Sequence, residues 1–335
     1  MKIAINNVNK GFSVRWIEYC ENNNIAYKTV NCYQSDIIEQ LKDCDVLMWH
    51  YYHNNFKDKI TAQKILFSLE HAGIKVFPDF RTAWHFDDKV AQKYLLEAIK
   101  APLVPSYVFY EKKDAIEWAK NTSYPKVFKL KGGAGSNNVK LLKNQSQALK
   151  IINKAFGRGF PQFDARQNLI DRFEKYKRGL DSLFGLLKGV GRLIINTDYA
   201  KQQCNEKGYV YFQEFIANEG YDVRVVVISN KAVALKRLVR KNDFRASGSG
   251  NLIFENENID KRYIEIAFAT AKKLGSQSLA IDLIHSKNDI IYIVELSYAF
   301  PMLNFLEGAS GYWDINMNWH EETFNPQAWM IEQFV

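Results

Sequence analysis

The sequence predicts an α/β protein, a small N-terminal parallel-sheet unit followed by a longer mixed α+β body. Three observations carry that reading. Residues 1 to about 85 alternate strand-like apolar runs with amphipathic helical stretches. A glycine-rich stretch, KLKGGAGSNNVK (Lys129 to Lys140), sits between two short strand-like runs. The last third is rich in strands, and two of its apolar runs are interrupted by single acids, Asp282 and Glu295.

The elements follow in order. MKIAINN reads as a strand, residues 13 to 24 as a helix and AYKTVNC as a strand. SDIIEQLKDC is helical with Ser35 as its cap. DVLMWHYY is a buried strand. TAQKILFSLEHAG puts Ala62, Ile65, Leu66 and Leu69 on one face and ends at Gly73, and KVFPD is a further strand. Residues 86 to 100 form a helix stopped before Pro102. VPSYVFYE (strand), KKDAIEWAKNTS (helix), PKVFKLK and VKLLKN (strands) and SQALKIINKAF (helix) come next. Residues 157 to 208 mix helix and loop, and no sheet position follows from their pattern. YVYFQEFI opens a strand-rich region, and DVRVVVISNKAVALKRLVRK is a hairpin turning at Ser229-Asn230. Residues 260 to 274 form an amphipathic helix ending near Gly275. SLAIDLIHSKNDIIYIVELSYAF gives two strands turning near Lys287-Asn288, with His285 as a turn-proximal histidine. The tail from Glu307 carries three of the seven tryptophans and packs against the body or an oligomer partner. The boundaries expected are 1–85, 86–212 and 213–335.

Composition narrows the classes. A hydrophobic fraction of 47% is that of a globular protein. No apolar run reaches the length of about 18 residues that a membrane span requires, and the start lacks the apolar core of a signal peptide. The four cysteines, Cys20, Cys32, Cys44 and Cys204, form no CxxC pattern and read as reduced cytoplasmic thiols. The net charge of +8 allows nucleic-acid contact without requiring it, and suits a pocket for polyphosphates and carboxylates equally well. The aromatic residues make no RNA-binding signature.

The glycine stretch matches neither familiar phosphate loop. It lacks the Gly-Lys-Ser/Thr of the P-loop. It leads into a strand rather than the helix that a dinucleotide fingerprint demands. A glycine hairpin can still turn the backbone N–H groups of Gly132, Gly133, Gly135 and Ser136 toward phosphate, and can move as a lid. Lys129 lies on its entering strand. The alternative is a plain solvent-exposed turn. Asp282 and Glu295 fall on neighbouring strands, where two oxygen ligands suit Mg²⁺ between phosphates. Ser297, two residues on, faces the same side. The alternative is surface acids, or acids paired with arginines. Arg224, Lys236 and Arg237 interrupt apolar strand runs, and Arg245 lies in the polar loop DFRASGSGN. They read as a positive wall around phosphate and carboxylate, or as an exposed strand face.

Taken in order, these segments resemble the ATP-grasp superfamily, especially its carboxylate–amine ligases related to the ribosomal-protein glutamate ligase. The resemblance covers roughly residues 85 to 300. It implies an ATP-grasp fold with an N-terminal parallel-sheet domain, a central lid subdomain and a C-terminal α+β nucleotide- and metal-binding subdomain. It implies that Lys89 and Lys129 hold ATP phosphates. Glu214, Phe215 and Ile216 would form the adenine hinge, and Glu219 or Asp222 would meet the ribose. Arg224, Lys236 and Arg237 would line the phosphate and acyl site, with Arg245 on the substrate-side loop. Asp282 and Glu295 would bind Mg²⁺. One departure is Ser297, where the family carries asparagine two residues after the metal glutamate; a hydroxyl reaches less far than an amide oxygen. The implied activity is ATP-dependent amide or peptide bond formation through an acyl phosphate, on a small metabolite or a sugar-acid or polysaccharide precursor. The other readings are a protein- or peptide-modifying amino-acid ligase, a small-molecule kinase and a nonenzymatic ATP-binding module. The long 157–208 stretch would narrow substrate choice or form an interface.

Overall fold

Ile3, Ala4 and Ile5 are fully buried, and they open a parallel sheet. Strands β1 (Ile3–Asn6), β2 (Tyr27–Val30), β3 (Val46–Met48) and β4 (Lys75–Phe77) lie in the order β2-β1-β3-β4, every pair parallel. Parallel neighbours need crossovers, and helices α1 (Phe12–Asn22), α2 (Ile37–Gln40) and α3 (Phe56–His71) supply them. Helix α3 buries Ala62, Leu66 and Leu69 as its 3.6-residue stripe requires, with Ile65 half-buried beside them. Helix α2 departs from expectation at its start. Asp36, not Ser35, is the N-cap residue, and it makes no side-chain cap bond. The four-residue helix α4 (Phe80–Ala83) is too short to show a period in the sequence.

The computed structural model describes the chain except residues 9–10, 134–137, 163–168, 171, 174–175, 178–181, 195–203, 240–250 and 302–307. Gly135, Ser136 and Arg245 lie outside the described residues. The chain divides into two compact units. One is Met1–Phe86, Ala91–Leu103 and Ala217–Val335; the other is Asp87–Val90 and Val104–Ile216. Helix α5 (Lys89–Ala98) starts at the expected lysine.

The second unit holds β5 (Ser106–Phe109), α6 (Lys112–Asn121), β6 (Lys126–Lys129), β7 (Lys140–Leu142), α7 (Gln145–Ala155), α8 (Leu183–Ile194) and β8 (Val210–Glu214). Its sheet is antiparallel in the order β5-β8-β6-β7. The glycine stretch therefore joins two antiparallel neighbours, strand to loop to strand, as the sequence predicts. Its core sets Ala115 and Ala119 of α6 and Ile151, Ile152 and Ala155 of α7 against Phe128, Val210 and Phe212. Small residues on the helices let them sit close to the sheet.

In the first unit, β9 (Tyr221–Ile228) and β10 (Lys231–Leu238) form the expected hairpin, with Ser229 at φ +53 in its turn. With β11 (Leu252–Ile253), β12 (Ser278–His285), β13 (Ile291–Ser297), β14 (Tyr312–Asp314) and β15 (Trp319–His320) they build a seven-stranded sheet in the order β13-β12-β9-β10-β14-β15, β11 pairing with β10. Helix α9 (Lys261–Leu274) buries Tyr263, Ile264, Ala267 and Phe268 against it. Gly275 caps that helix at φ +64, in the left-handed region that a side chain resists. The tail packs on the body. Strand β14 pairs with β10, and Trp329, Met330 and Ile331 of α10 (Pro326–Glu332) enter the core that holds Phe12 and Trp16.

Candidate active site

The glycine hairpin is tied down at its base. Gly133 takes φ +108, and its N–H donates to Asp87 Oδ1 at 2.8 Å. Lys89 Nζ donates to the Gly133 carbonyl at 2.9 Å, and Lys89 N–H donates to the Lys131 carbonyl at 2.9 Å. A Cβ on Gly132 would stand 3.2 Å from Asp87 Oδ2, so this residue is small because a carboxylate approaches it. On the other side, Lys131 N–H donates to Tyr209 Oη at 2.7 Å, and Tyr209 in turn bonds Glu206. At the far end, Asn138 Nδ2 donates to the carbonyls of Pro161 and Gln162, each at 3.2 Å. The two ends of the loop are thus fixed by named bonds.

Lys129 ends β6 and is 7% exposed. Its Nζ donates to Gln213 Oε1 at 2.6 Å. Gln213 Nε2 donates to Ser106 Oγ at 3.1 Å, as does Tyr211 Oη at 2.9 Å, and Ser106 Oγ donates to the Val104 carbonyl at 2.7 Å. This chain of bonds fixes the direction of the ammonium. Glu214, the first expected hinge residue, lies opposite Lys126 in the β6–β8 register and forms an ion pair with it. Tyr107 Oη donates to the same carboxylate oxygen at 3.1 Å. The Glu214 carboxylate is therefore committed within the unit, while its N–H donates to the Pro105 carbonyl at 2.9 Å. Phe215 and Ile216 follow the strand, both half-buried.

In the first unit a second group gathers on one face of the large sheet. Arg224 of β9 lies opposite Asp282 of β12 and grips it with both arms: Nε to Oδ1 at 2.7 Å and Nη2 to Oδ2 at 2.9 Å. Arg237 of β10 grips Asp222 the same way, at 2.7 Å through Nε and 2.7 Å through Nη2. Its Nη2 also stands 2.7 Å from Asp282 Oδ2. Asp282 is thus shared by two guanidiniums. Burial raises its carboxyl, but the charges of Arg224 and Arg237 outweigh that and hold it well below the usual carboxylate range. Lys236 does not join this group. It points to the opposite face, as strand neighbours must, donates to Glu255 Oε1 at 2.5 Å and sits over the Tyr221 ring at 4.6 Å. Glu219 is exposed and accepts from Tyr221 Oη at 3.2 Å. His285 bonds Asp289 at 2.8 Å, as its place near the turn suggests.

Glu295 of β13 stands directly opposite Asp282. Two carboxylates are the oxygen share a protein gives Mg²⁺ when phosphates and water complete the shell, so the pair fits that ion's donor chemistry. Among the described residues, no group of three or more His, Cys, Asp or Glu side chains is placed to hold a metal. Ser297 Oγ is engaged in its own turn. It donates to the Ala299 carbonyl at 2.7 Å and accepts from Ala299 N–H at 3.1 Å.

Sequence reasoning passed over three residues that the geometry brings forward: Asp87, Lys126 and Gln213. Asp87 lies two residues before Lys89, so position in the chain was a signal. Gln213 meets Lys129 as a diagonal cross-strand neighbour, a relation that exists only once the register of β6 on β8 is known.

Comparison with known proteins agrees with this layout. Residues 180–318 match the RimK-like ATP-grasp domain, and residues 88–181 match the ATP-binding domain of the carbamoyl-phosphate synthase L chain. The alpha-aminoadipate–LysW ligase LysX of Saccharolobus solfataricus is 22% identical over 229 residues, spanning 68% of this chain and 67% of that protein. A probable alpha-L-glutamate ligase of Vibrio parahaemolyticus is 29% identical over 135 residues, 37% of this chain and 43% of its own length. The chain thus covers less than half of that second relative. Among solved structures, an ATP-grasp RimK domain protein from Sphaerobacter thermophilus superposes with a TM-score of 0.56 at 14% identity, over 100% of this chain and 99% of that one. The D-alanine–D-alanine ligase of Bacillus anthracis in complex with ATP gives 0.54 at 13% identity, over 91% and 88%. The parallel N-terminal sheet, central lid subdomain and C-terminal nucleotide-binding subdomain are those of the ATP-grasp fold, which the chain shares with the ATP-grasp proteins and ligases it is similar to.

Proposed function

We propose that this protein joins a carboxylate to an amine at the expense of ATP, by way of an acyl phosphate. The observation that supports it most is the glycine hairpin, with Lys89 bonded to the carbonyl of Gly133 and the buried Lys129 at the end of its entering strand. Two ammonium groups beside a glycine-rich loop suit a polyphosphate. In the first step a carboxylate oxygen of the substrate attacks the γ-phosphorus of ATP, and ADP leaves. In the second, the amine attacks the acyl carbon, the C–O bond to phosphate breaks, and inorganic phosphate departs with the bond electrons.

Lys89 and Lys129 hold phosphate oxygens in this reading, with Gly132, Gly133, Gly135 and Ser136 donating from the loop. Glu214, Phe215 and Ile216 border the adenine through backbone atoms, and Glu219 or Asp222 meets the ribose. Arg224 and Arg237 face the transferring phosphoryl group and the substrate carboxylate, where guanidinium offsets charge that grows in the transition state. Arg245 serves the acyl substrate. Lys236, on the other face of β10, acts through the positioning of Glu255. Asp282 and Glu295 would hold Mg²⁺, with Ser297 as an outer contact; the ion would supply electrostatic stabilisation to the phosphoryl oxygens. Closure of the glycine loop excludes water from the acyl phosphate.

The substrate is a small acid, a metabolite or sugar-acid precursor in the cytoplasm. A second reading, addition of an amino acid to a peptide or protein, draws on the names of the relatives, which specify alpha-aminoadipate and glutamate as the units joined. The test is Mg²⁺-dependent ADP release with pooled carboxylates, with and without pooled amines, followed by mass analysis. ADP release coupled to loss of water between one acid and one amine is expected. A stable phosphorylated product formed without any amine would make the protein a kinase. ATP binding without turnover in a full screen of acids, amino acids and peptides would leave a binding module.

A further inference from the structure

Helix α8 turns two glycines toward the protein and four large apolar side chains away from it. Gly185 and Gly189, one turn apart, are buried. A Cβ on Gly189 would come within 2.9 Å of Arg172 Cδ and 3.1 Å of Leu169 Cδ1. Arg172 Nη1 donates to the Gly185 carbonyl at 2.9 Å, and Gly185 N–H donates to Ser182 Oγ at 3.0 Å. The glycine side is therefore pressed against the preceding segment. Leu183, Phe184, Leu187 and Val190 are 58, 65, 60 and 46% exposed. Ile170, Phe173 and Tyr176, in the segment before it, are 54, 44 and 40% exposed. Scattered exposed apolar residues are ordinary, but seven in one short region are a surface that calls for a cover.

Charge says what the cover is. Residues 169–194 contain six basic side chains (Arg172, Lys175, Lys177, Arg178, Lys188 and Arg192) and three acids (Asp171, Glu174 and Asp181), a net charge of +3. Lys188 Nζ lies 4.6 Å from the centre of the Phe184 ring, and Lys177 Nζ lies 4.4 Å from that of Phe173. The cations sit among the exposed aromatics, not on an opposite face. A second copy of this chain would bring two surfaces of the same net positive sign together across a two-fold axis. An anionic bilayer surface takes both features, apolar side chains into the acyl boundary and lysine ammoniums to the headgroups. No helix among the described residues is long and apolar enough to cross a membrane, so the contact is interfacial. We propose that α8, with Ile170, Phe173 and Tyr176 before it, docks this protein on anionic lipid surfaces. The proposal does not depend on the ligase chemistry.

The test is co-sedimentation of the full chain with vesicles of phosphatidylglycerol and phosphatidylcholine, against phosphatidylcholine alone. Wild type is expected to sediment with the anionic vesicles and to release as salt rises. Phe184→Ser combined with Leu187→Ser should cut binding by at least about tenfold, because two side chains lose their acyl contact. Lys188→Glu should cut it by roughly tenfold or more, because one cation becomes an anion. All these residues are exposed, and unchanged circular dichroism and thermal melting would show that the variants fold. Equal binding to neutral vesicles, no binding to either, or wild-type binding by folded variants would overturn the proposal. So would self-association in sedimentation velocity that the same substitutions abolish, since a second copy would then be the cover.

Discussion

At the residue scale, burial decides protonation, and protonation decides acid stability. His50 is buried, stacks on Phe12 at 3.7 Å, and accepts the Phe12 N–H at Nδ1 over 3.0 Å. Burial lowers its pKa from the ordinary 6.5 to about 3. Between those values the unfolded chain takes a proton that the folded chain refuses, so stability falls as pH drops from about 6.5 toward about 3. Urea melts across that range should show the fall, and His50→Asn, which keeps an acceptor but does not titrate, should reduce it to the part contributed by buried His85, which burial lowers to about 4. Asp282 adds a second loss at lower pH. Its carboxyl is depressed, so its contribution is whole above the ordinary carboxylate pKa of about 4 and disappears below it. Asp282→Asn leaves Arg224 and Arg237 facing a neutral group, and should cost about 3 kcal/mol in urea denaturation at neutral pH. Glu295→Gln should keep the fold and lower Mg-ATP turnover by tenfold or more, as the ion loses a charged ligand; unchanged turnover would remove Glu295 from the site.

At the element scale, hairpins and caps are where local sequence and local structure agree best. The glycine hairpin, the Ser229-Asn230 turn and the Gly275 cap all follow from residues that tolerate tight or left-handed backbone. Gly275→Ala should cost about 1 kcal/mol, since φ is +64 and the new Cβ would meet Arg81 Nη1 at 3.1 Å. A thermal melt reads it. Asp87→Ala frees the Gly133 N–H from its anchor and should raise the KM for ATP more than it lowers thermal stability. Equal effects on both would mean that Asp87 holds the fold rather than the loop. The element pattern left out helix α10 and four shorter pieces, helix α4 and strands β11, β14 and β15, whose two to four residues cannot display a period.

At the scale of the whole molecule, long-range register makes the candidate site. The tail helix α10 buries Trp329, Met330 and Ile331 in the core with the N-terminal sheet. Deleting residues 326–335 would forfeit roughly 5 kcal/mol of apolar burial, a large part of the 5–15 kcal/mol typical of a domain, and soluble expression or a thermal melt should record the loss. The sequence by itself determined the order of the longer strands and helices, the glycine hairpin, the facing of Asp282 and Glu295 across one turn, and a resemblance to the ATP-grasp superfamily whose fold the structure has. These are local, because a hairpin's register follows from its turn and a helix's face from its period. Only the tertiary structure decided that Asp282 is shared by Arg224 and Arg237, that Lys236 turns away from them, that Gln213 orients Lys129 and that α8 shows its apolar side to the surroundings. The first three need strands that are distant in sequence to be laid side by side in one register. The last needs to be seen, because a helix with one glycine face and one leucine face reads the same in sequence whichever side is buried.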